Sequence, residues 1–189
     1  MKKRIAIFAS GSGTNAEAIM QNFAKHESTE VALILSNKSD AYVLERAKMF
    51  GVPTYVFDRN TFRNTNEIVE LLQTENISLV VLAGFLWLIP KQLVKAFPNQ
   101  IINIHPALLP KYGGKGMYGM NVHKAVKEAG ETETGITIHY VNEHYDEGQV
   151  IHQAKCEVSP EDGLEDIAQK IHLLEHEHFP KVIERLTRD

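Results

Sequence analysis

Cysteine is almost missing from this chain: Cys156 is the one copy among 189 residues. A single thiol excludes an internal disulfide and a zinc site built from cysteines. Long apolar runs are missing too. Met1-Lys2-Lys3-Arg4 opens like a secretory leader, but the apolar run Ile5 to Ala9 is too short for one, and Ser10-Gly11-Ser12-Gly13 follows at once. No stretch could span a bilayer. An excess of positive charge is also absent. The formal net charge is -4, which gives no electrostatic reason to expect nucleic acid. A cytoplasmic protein without a membrane partner is the expectation. The sequons Asn37-Lys38-Ser39 and Asn76-Ile77-Ser78 carry no meaning in that compartment. Internal repeats and low-complexity linkers are lacking as well. What remains is 43% hydrophobic and 23% charged, the balance of a soluble globular protein. The length suits a single domain, 1–189, with a sizeable core.

Strand and helix signals alternate along the first half. Strands are expected at Arg4–Ala9, Val31–Ser36, Pro53–Phe57, Ser78–Ala83 and Ile101–Ile104. Helices are expected near Asn15–Lys25, Ala41–Phe50, Asn64–Glu75 and Pro90–Phe97. Repeated βα units imply right-handed crossovers and a parallel sheet. The fully apolar strand Ser78–Ala83 fits a sheet covered on both faces. The pattern then changes. Lys111–Met120 is rich in Gly and Lys and reads as a long loop, followed by a helix at Val122–Glu128. Two strands, Thr134–Val141 and Gln149–Val158, flank a polar turn. An amphipathic helix, Leu164–Leu186, closes the chain, with a bend expected near Pro180. The fold class is α/β: a Rossmann-like, open, mostly parallel twisted sheet with helices on both faces and late strands partly antiparallel.

The run Ile101-Ile102-Asn103-Ile104-His105-Pro106 carries the chemistry. An apolar strand has no structural need for Asn and His two residues apart. Side chains alternate along a strand, so Asn103 and His105 share a face. Pro106 cannot continue a ladder and ends the strand. An amide and an imidazole therefore sit together at a carboxyl strand end, where open α/β sheets bind ligands.

Ser10-Gly11-Ser12-Gly13-Thr14-Asn15 joins the first strand to the first helix. Glycine lets the backbone approach an anion, and a helix start presents unpaired N–H groups and a positive dipole end. A phosphate site is expected; a plain tight turn is the alternative. A dinucleotide site is not expected. Ala16 stands where the third glycine of GxGxxG belongs, and Ser36-Asn37-Lys38 ends the second strand without an acid for a ribose. Asp146 lies in the polar turn Asn142–Gly148 and matters only if it meets His105, whose ordinary pKa is about 6.5. His139 is either a ligand-site residue or a hydrogen-bonded core histidine. His172-Leu173-Leu174-Glu175-His176 matches a metalloprotease pattern. A polar stripe on an amphipathic helix accounts for it; no third ligand is evident and no metal is expected.

Taken together, these residues resemble the folate-dependent formyltransferases. The matching stretches are Ser10–Asn15, Val80-Val81-Leu82-Ala83-Gly84-Phe85, Asn103–Tyr112, and Gly135-Ile136-Thr137-Ile138-His139 leading to Asp146 and Gly148. They span nearly the whole chain in the family's order. The resemblance implies transfer of a formyl group from 10-formyltetrahydrofolate to the amine of glycinamide ribonucleotide in purine biosynthesis. Asn103, His105 and Asp146 would be catalytic. The ribonucleotide phosphate would lie on Gly13, Thr14 and Asn15, with Pro106, His172 and Glu175 completing that site and Glu175 holding the ribose hydroxyls. The folate would lie against Leu86, Trp87, Leu88, Ile89, Ile101, Asn103, Val141 and Asn142, with Arg63 in reach. The phosphate half would fall at about 1–100 and the catalytic and folate half at about 101–189. Many relatives carry Arg where this chain has Trp87, so stacking would replace a polar contact there. The loop Gly113–Met120 is longer than usual in the family, a lid or an exposed insertion.

The chemistry needs an oxyanion stabilised on the formyl oxygen and a proton moved off the amine. Asn103 and a protonated His105 would donate to that oxygen, each such donor being worth about 3 kcal/mol. Asp146 would hold His105 protonated and oriented. Rival readings are another folate-dependent formyltransferase, a formyltetrahydrofolate hydrolase, and a non-catalytic nucleotide-phosphate binding module. Formyl enzymes that act on tRNA resemble this core plus a basic domain, and the hydrolases a core preceded by a regulatory domain. The binding module leaves Asn103 and His105 without a purpose.

Overall fold

The computed structural model describes residues 2–188; the expected domain ends at Met1 and Asp189 lie outside them. The elements run β1 (Lys3–Phe8), α1 (Thr14–Phe23), β2 (Thr29–Ser36), α2 (Val43–Met49), β3 (Thr54–Val56), α3 (Arg59–Asn64), α4 (Glu67–Thr74), β4 (Ile77–Leu82), α5 (Lys91–Ala96), β5 (Ile101–His105), α6 (Met120–Glu128), β6 (Glu133–Tyr140), β7 (Val150–Glu157) and α7 (Leu164–Thr187). The helix expected over Asn64–Glu75 is α4, and a separate short helix, α3, precedes it. Asp58 starts α3 by accepting the Thr61 N–H on Oδ1 at 2.7 Å, a capping arrangement typical of a helix start. Thr65, extended at φ -126 and ψ 166, separates it from α4. α7 runs without a break through the buried Pro180. Among the described residues no helix is long and apolar enough to cross a membrane.

The seven strands form one sheet in the order β3-β2-β1-β4-β5-β6-β7. β1 to β5 pair in parallel. β6 and β7 add antiparallel. This is the expected open, mostly parallel sheet with antiparallel late strands. The chain moves outward from β1 to β3, then returns to lay β4 and β5 on the other side of β1. That reversal opens a crevice above the carboxyl ends of β1 and β4, the usual ligand position in such sheets.

Alternation along the strands builds two cores. Ile5, Ile7, Val81, Ile102 and Ile138 face Ile19 and Met20 of α1, Val43 of α2 and Phe179 of α7. Phe8, Leu35, Val80 and Leu82 face Phe62, Ile68, Leu72 and Leu93 of α3, α4 and α5. Each large apolar side chain taken fully out of water contributes roughly 1.5–3 kcal/mol. With both faces covered, polar side chains are tolerated chiefly at strand ends.

Candidate active site

A cleft of about 670 Å³ lies over that crevice, lined by the glycine turn, the segment after β4, the end of β5, the loop before α6, and α7. β5 ends at His105, as expected from Pro106. Its antiparallel register sets Asn103 opposite His139 and His105 opposite Thr137. Directly opposed residues share a face, so one polar face is made from both strands. Thr137 also braces the chain beyond β5. Its hydroxyl donates to the Ala107 carbonyl at 2.7 Å and accepts the Leu109 N–H at 3.0 Å.

Asp146 reaches this face from the β6–β7 turn. Its Oδ2 lies 3.6 Å from His105 Nδ1 and its Oδ1 lies 3.6 Å from His139 Nε2. The Gly114 N–H donates to Asp146 Oδ2 at 2.9 Å. On the other side of the imidazole, His105 Nε2 donates to the Tyr112 carbonyl at 2.7 Å. A carbonyl only accepts, so Nε2 carries a proton and Nδ1 is the nitrogen left for chemistry. His139 Nδ1 donates to the Tyr140 carbonyl at 2.8 Å, leaving Nε2 to accept from Asn103 Nδ2 at 3.1 Å. That bond fixes the Asn103 amide and uses one of its two hydrogens.

The surroundings of His105 pull its titration in both directions. Burial of the ring, 3% exposed, pushes its pKa below the ordinary value; Asp146 and the Tyr112 carbonyl pull it up, but less strongly. Burial pushes Asp146 upward too. The His139 and His105 imidazoles beside it and the Gly114 N–H together outweigh that and hold it below the usual carboxylate range.

The glycine turn is set by α2. The Val43 N–H donates to the Gly11 carbonyl at 3.1 Å. Arg46 Nε donates to the Ser12 carbonyl at 2.9 Å, and the same guanidinium pairs with Glu17 of α1. Gly13 caps α1 at φ 75 and ψ 29. The first turn of α1 opens on the cleft, with the unpaired N–H groups every helix start presents. Ser10 links this turn to its neighbours: Oγ donates to Asn37 Oδ1 at 2.7 Å and accepts the Leu86 N–H at 3.2 Å. α7 supplies the opposite wall. Glu175, 6% exposed, accepts from Asn15 Nδ2 at 2.9 Å. Burial raises its pKa, against the Asn15 hydrogen bond and His172. Asn15 Oδ1 is buried without a partner, an acceptor that a bound donor would satisfy.

The cleft brings together Gly13, Thr14, Asn15, Leu86, Trp87, Leu88, Ile89, Asn103, His105, Pro106, Val141, Asp146, His172 and Glu175. Arg63, Ile101 and Asn142 do not line it. Arg63 is exposed on the last turn of α3, where its carbonyl accepts from Gln92. Ile101 starts β5, deep in the aromatic-rich core. Asn142 turns its Oδ1 back to the His144 N–H at 2.9 Å. Trp87 packs against Phe57, Phe62 and Phe85. Its ring is also covered by the Arg59 guanidinium, 5.0 Å from the centroid. His139 lines the cleft and is hydrogen-bonded on both ring nitrogens. Sequence reasoning missed His123, a buried imidazole on α6 that lines the cleft, and the Tyr112 carbonyl. The first sits in an amphipathic helix with polar neighbours; the second is backbone, which leaves no mark in a sequence. In the His172–His176 pattern Glu175 is taken by Asn15. Among the described residues no group of three His, Cys, Asp or Glu side chains is placed to hold a metal ion.

A ligand crevice at the reversal point of an open, mostly parallel sheet defines a doubly wound α/β protein. Residues 3–183 match the formyl transferase family, and the chain belongs to that family. It is 39% identical over 189 residues to phosphoribosylglycinamide formyltransferase of Bacillus subtilis, covering 97% of this chain and 94% of that protein. It is 40% identical over 188 residues to the chloroplastic phosphoribosylglycinamide formyltransferase of Arabidopsis thaliana, covering 96% of this chain and 64% of that protein. The chain thus spans less than two thirds of that plant relative. The crystal structure of phosphoribosylglycinamide formyltransferase from Streptococcus pneumoniae superposes with a TM-score of 0.87 at 36% identity, covering 100% of both chains.

Proposed function

We propose that this chain transfers the formyl group of 10-formyltetrahydrofolate to the amine of glycinamide ribonucleotide, as the names of its relatives indicate for them. It does so as one formyltransferase unit that takes two small molecules, acts in the cytoplasm and needs no metal, membrane or nucleic acid. One observation carries the reading. His105 meets Asp146 at a strand end that it shares with Asn103, over a cleft that also holds the open start of α1.

The ribonucleotide phosphate sits on the backbone of Gly13, Thr14 and Asn15, where aligned N–H groups favour an anion. Its ribose hydroxyls reach Glu175. The folate lies along Leu86–Ile89, Val141 and the polar turn. The amine nitrogen attacks the formyl carbon and a C–N bond forms. The carbonyl oxygen becomes an oxyanion, to which Asn103 donates its remaining amide hydrogen. Burial disfavours a charge on His105 and Nε2 is committed to the Tyr112 carbonyl, so Nδ1 takes the proton that the amine sheds. The imidazolium stands between the oxyanion and Asp146, both of which stabilise it. The tetrahedral intermediate collapses as the bond from carbon to the folate nitrogen breaks, and His105 returns the proton to that nitrogen. A protonated donor is thus made during the reaction rather than held beforehand.

Single-turnover formyl transfer to the ribonucleotide tests this. Transfer is expected with both substrates present, and Asn103→Ala and Asp146→Asn each reduce it by about 100-fold or more with unchanged circular dichroism. Release of formate without an amine acceptor would favour the hydrolase. Binding of the ribonucleotide without consumption of the formyl folate would leave a binding module.

A further inference from the structure

Neither catalytic partner is held by its own strand or turn alone. Tyr112 offers its carbonyl to His105, and Gly114 offers its N–H to Asp146. Both come from one short segment, and Gly113 between them is closely packed: a Cβ there would lie 2.6 Å from Leu109 Cδ2 and 3.3 Å from the Asp146 Cβ. Tyr112 itself sits at φ 56, in the left-handed region that a bulky residue occupies only when its surroundings enforce it.

Two contacts enforce it. The ring packs against the small core of Ala107, Val122 and Val126. The hydroxyl donates to Glu131 Oε1 at 2.8 Å, and Lys111 Nζ donates to the same oxygen at 2.8 Å. Glu131 is itself anchored, its N–H donating to the Val126 carbonyl at 3.3 Å at the end of α6. Neither Tyr112 nor Glu131 lines the larger cleft; both border a separate one of about 240 Å³. They can therefore act on His105 without touching a substrate.

We propose that Glu131, through the hydroxyl of Tyr112, is a positioning residue for His105. It pins the left-handed turn so that the Tyr112 carbonyl faces Nε2, which fixes the tautomer and leaves Nδ1 toward Asp146 and the cleft. An exposed ion pair alone contributes little; what matters is the aim of one carbonyl. That carbonyl favours the charged imidazole, as does Asp146, while His139 and burial oppose it. Loosening the pin shifts the balance toward burial. The kinetic part of this proposal rests on the formyl-transfer reading; the titration part does not.

The test uses Tyr112→Phe and Glu131→Gln. The first keeps the ring and removes the hydroxyl; the second weakens the acceptor. Lys111→Met removes the ion pair and keeps the hydroxyl bond. NMR titration of the ligand-free protein, with the His105 signal assigned through His105→Gln, is expected to show the imidazole titrating at lower pH in Tyr112→Phe and Glu131→Gln but not in Lys111→Met. In the transfer assay kcat falls by about tenfold in the first two, as expected for a slightly misplaced group, with both KM values unchanged and the pH profile displaced. Unchanged titration and kcat in both variants would overturn the proposal. So would an equal effect in Lys111→Met, which would assign it to charge. If wild type transferred no formyl group, the function would fall while the titration still decided the pin.

Discussion

Asp146 and Glu175 line one cleft, yet their surroundings push them in opposite directions. Asp146 has two imidazoles and a backbone N–H around it, and these outweigh its burial. Glu175 has one amide donor and His172 near it, and burial prevails. The sign follows from linkage. A carboxyl whose folded pKa lies above its unfolded value holds a proton that the unfolded chain has released, so it destabilises the fold above both values. Glu175→Gln keeps an oxygen for the Asn15 amide and removes the ionisable group. At pH 7.5 the ligand-free variant is expected to melt above wild type by differential scanning fluorimetry. Its affinity for the ribonucleotide, measured by calorimetry, falls by about tenfold or more, the scale of one lost hydrogen bond to a charged acceptor. A variant that melts lower and binds normally would mean that Glu175 is a structural residue only.

The turn from β1 to α1 is an element whose two glycines do different things. A Cβ on Gly13 would lie 2.9 Å from the Val43 Cα, while a Cβ on Gly11 meets nothing within 4 Å. The clash at Gly13 is thus with the start of α2, behind the turn, and not on the ligand side. Gly13→Ala also places a side chain at φ 75, a conformation costing about 1–3 kcal/mol for a non-glycine residue. Gly13→Ala is expected to lose about that much stability or more in urea unfolding, and to raise KM for the ribonucleotide because the turn must move off α2. Gly11→Ala is expected to change stability by less than about 0.5 kcal/mol. Equal losses in the two variants would show that the packing of α2 against the turn does not set its shape.

For the molecule as a whole, buried imidazoles decide the response to acid. Burial is the first cause that lowers the pKa of His105, His123 and His152. His152 also shares a 2.9 Å hydrogen bond with His178, which two charged rings could not keep. As pH falls through the ordinary histidine value of about 6.5, the unfolded chain binds protons that the folded one does not. Stability is therefore fully present above that value and is lost below it; Asp146 adds to the loss at lower pH, and Glu175 opposes it. The melting temperature is expected to fall by several degrees between pH 7.5 and 5.5, since each kcal/mol moves a domain of this size by about 2–4 °C. A melting temperature that rises over that range would show that the imidazoles are not held neutral. Salt at moderate concentration should change the slope little, because buried groups are weakly screened.

The sequence by itself determined the α/β class, the order of the strands, the strand end before Pro106 and the shared face of Asn103 and His105. These depend on periodicity, on proline and on glycine, all local properties of the chain. Resemblance carried the pairing with Asp146 and the place of Glu175. What only the tertiary structure decided is of another kind. The charge of His105 depends on how deeply the ring is buried, a sum over every element around it. Its tautomer depends on a backbone carbonyl, and every residue has one, so nothing in the letters marks Tyr112. Arg63 and Ile101 do not line the cleft, because the last turn of α3 leaves Arg63 exposed and the start of β5 sets Ile101 in the core. The Asn15–Glu175 bond joins positions 160 residues apart through the packing of α7 on α1. Local patterns name the groups that chemistry can use; their protonation, orientation and reach follow from the fold that surrounds them.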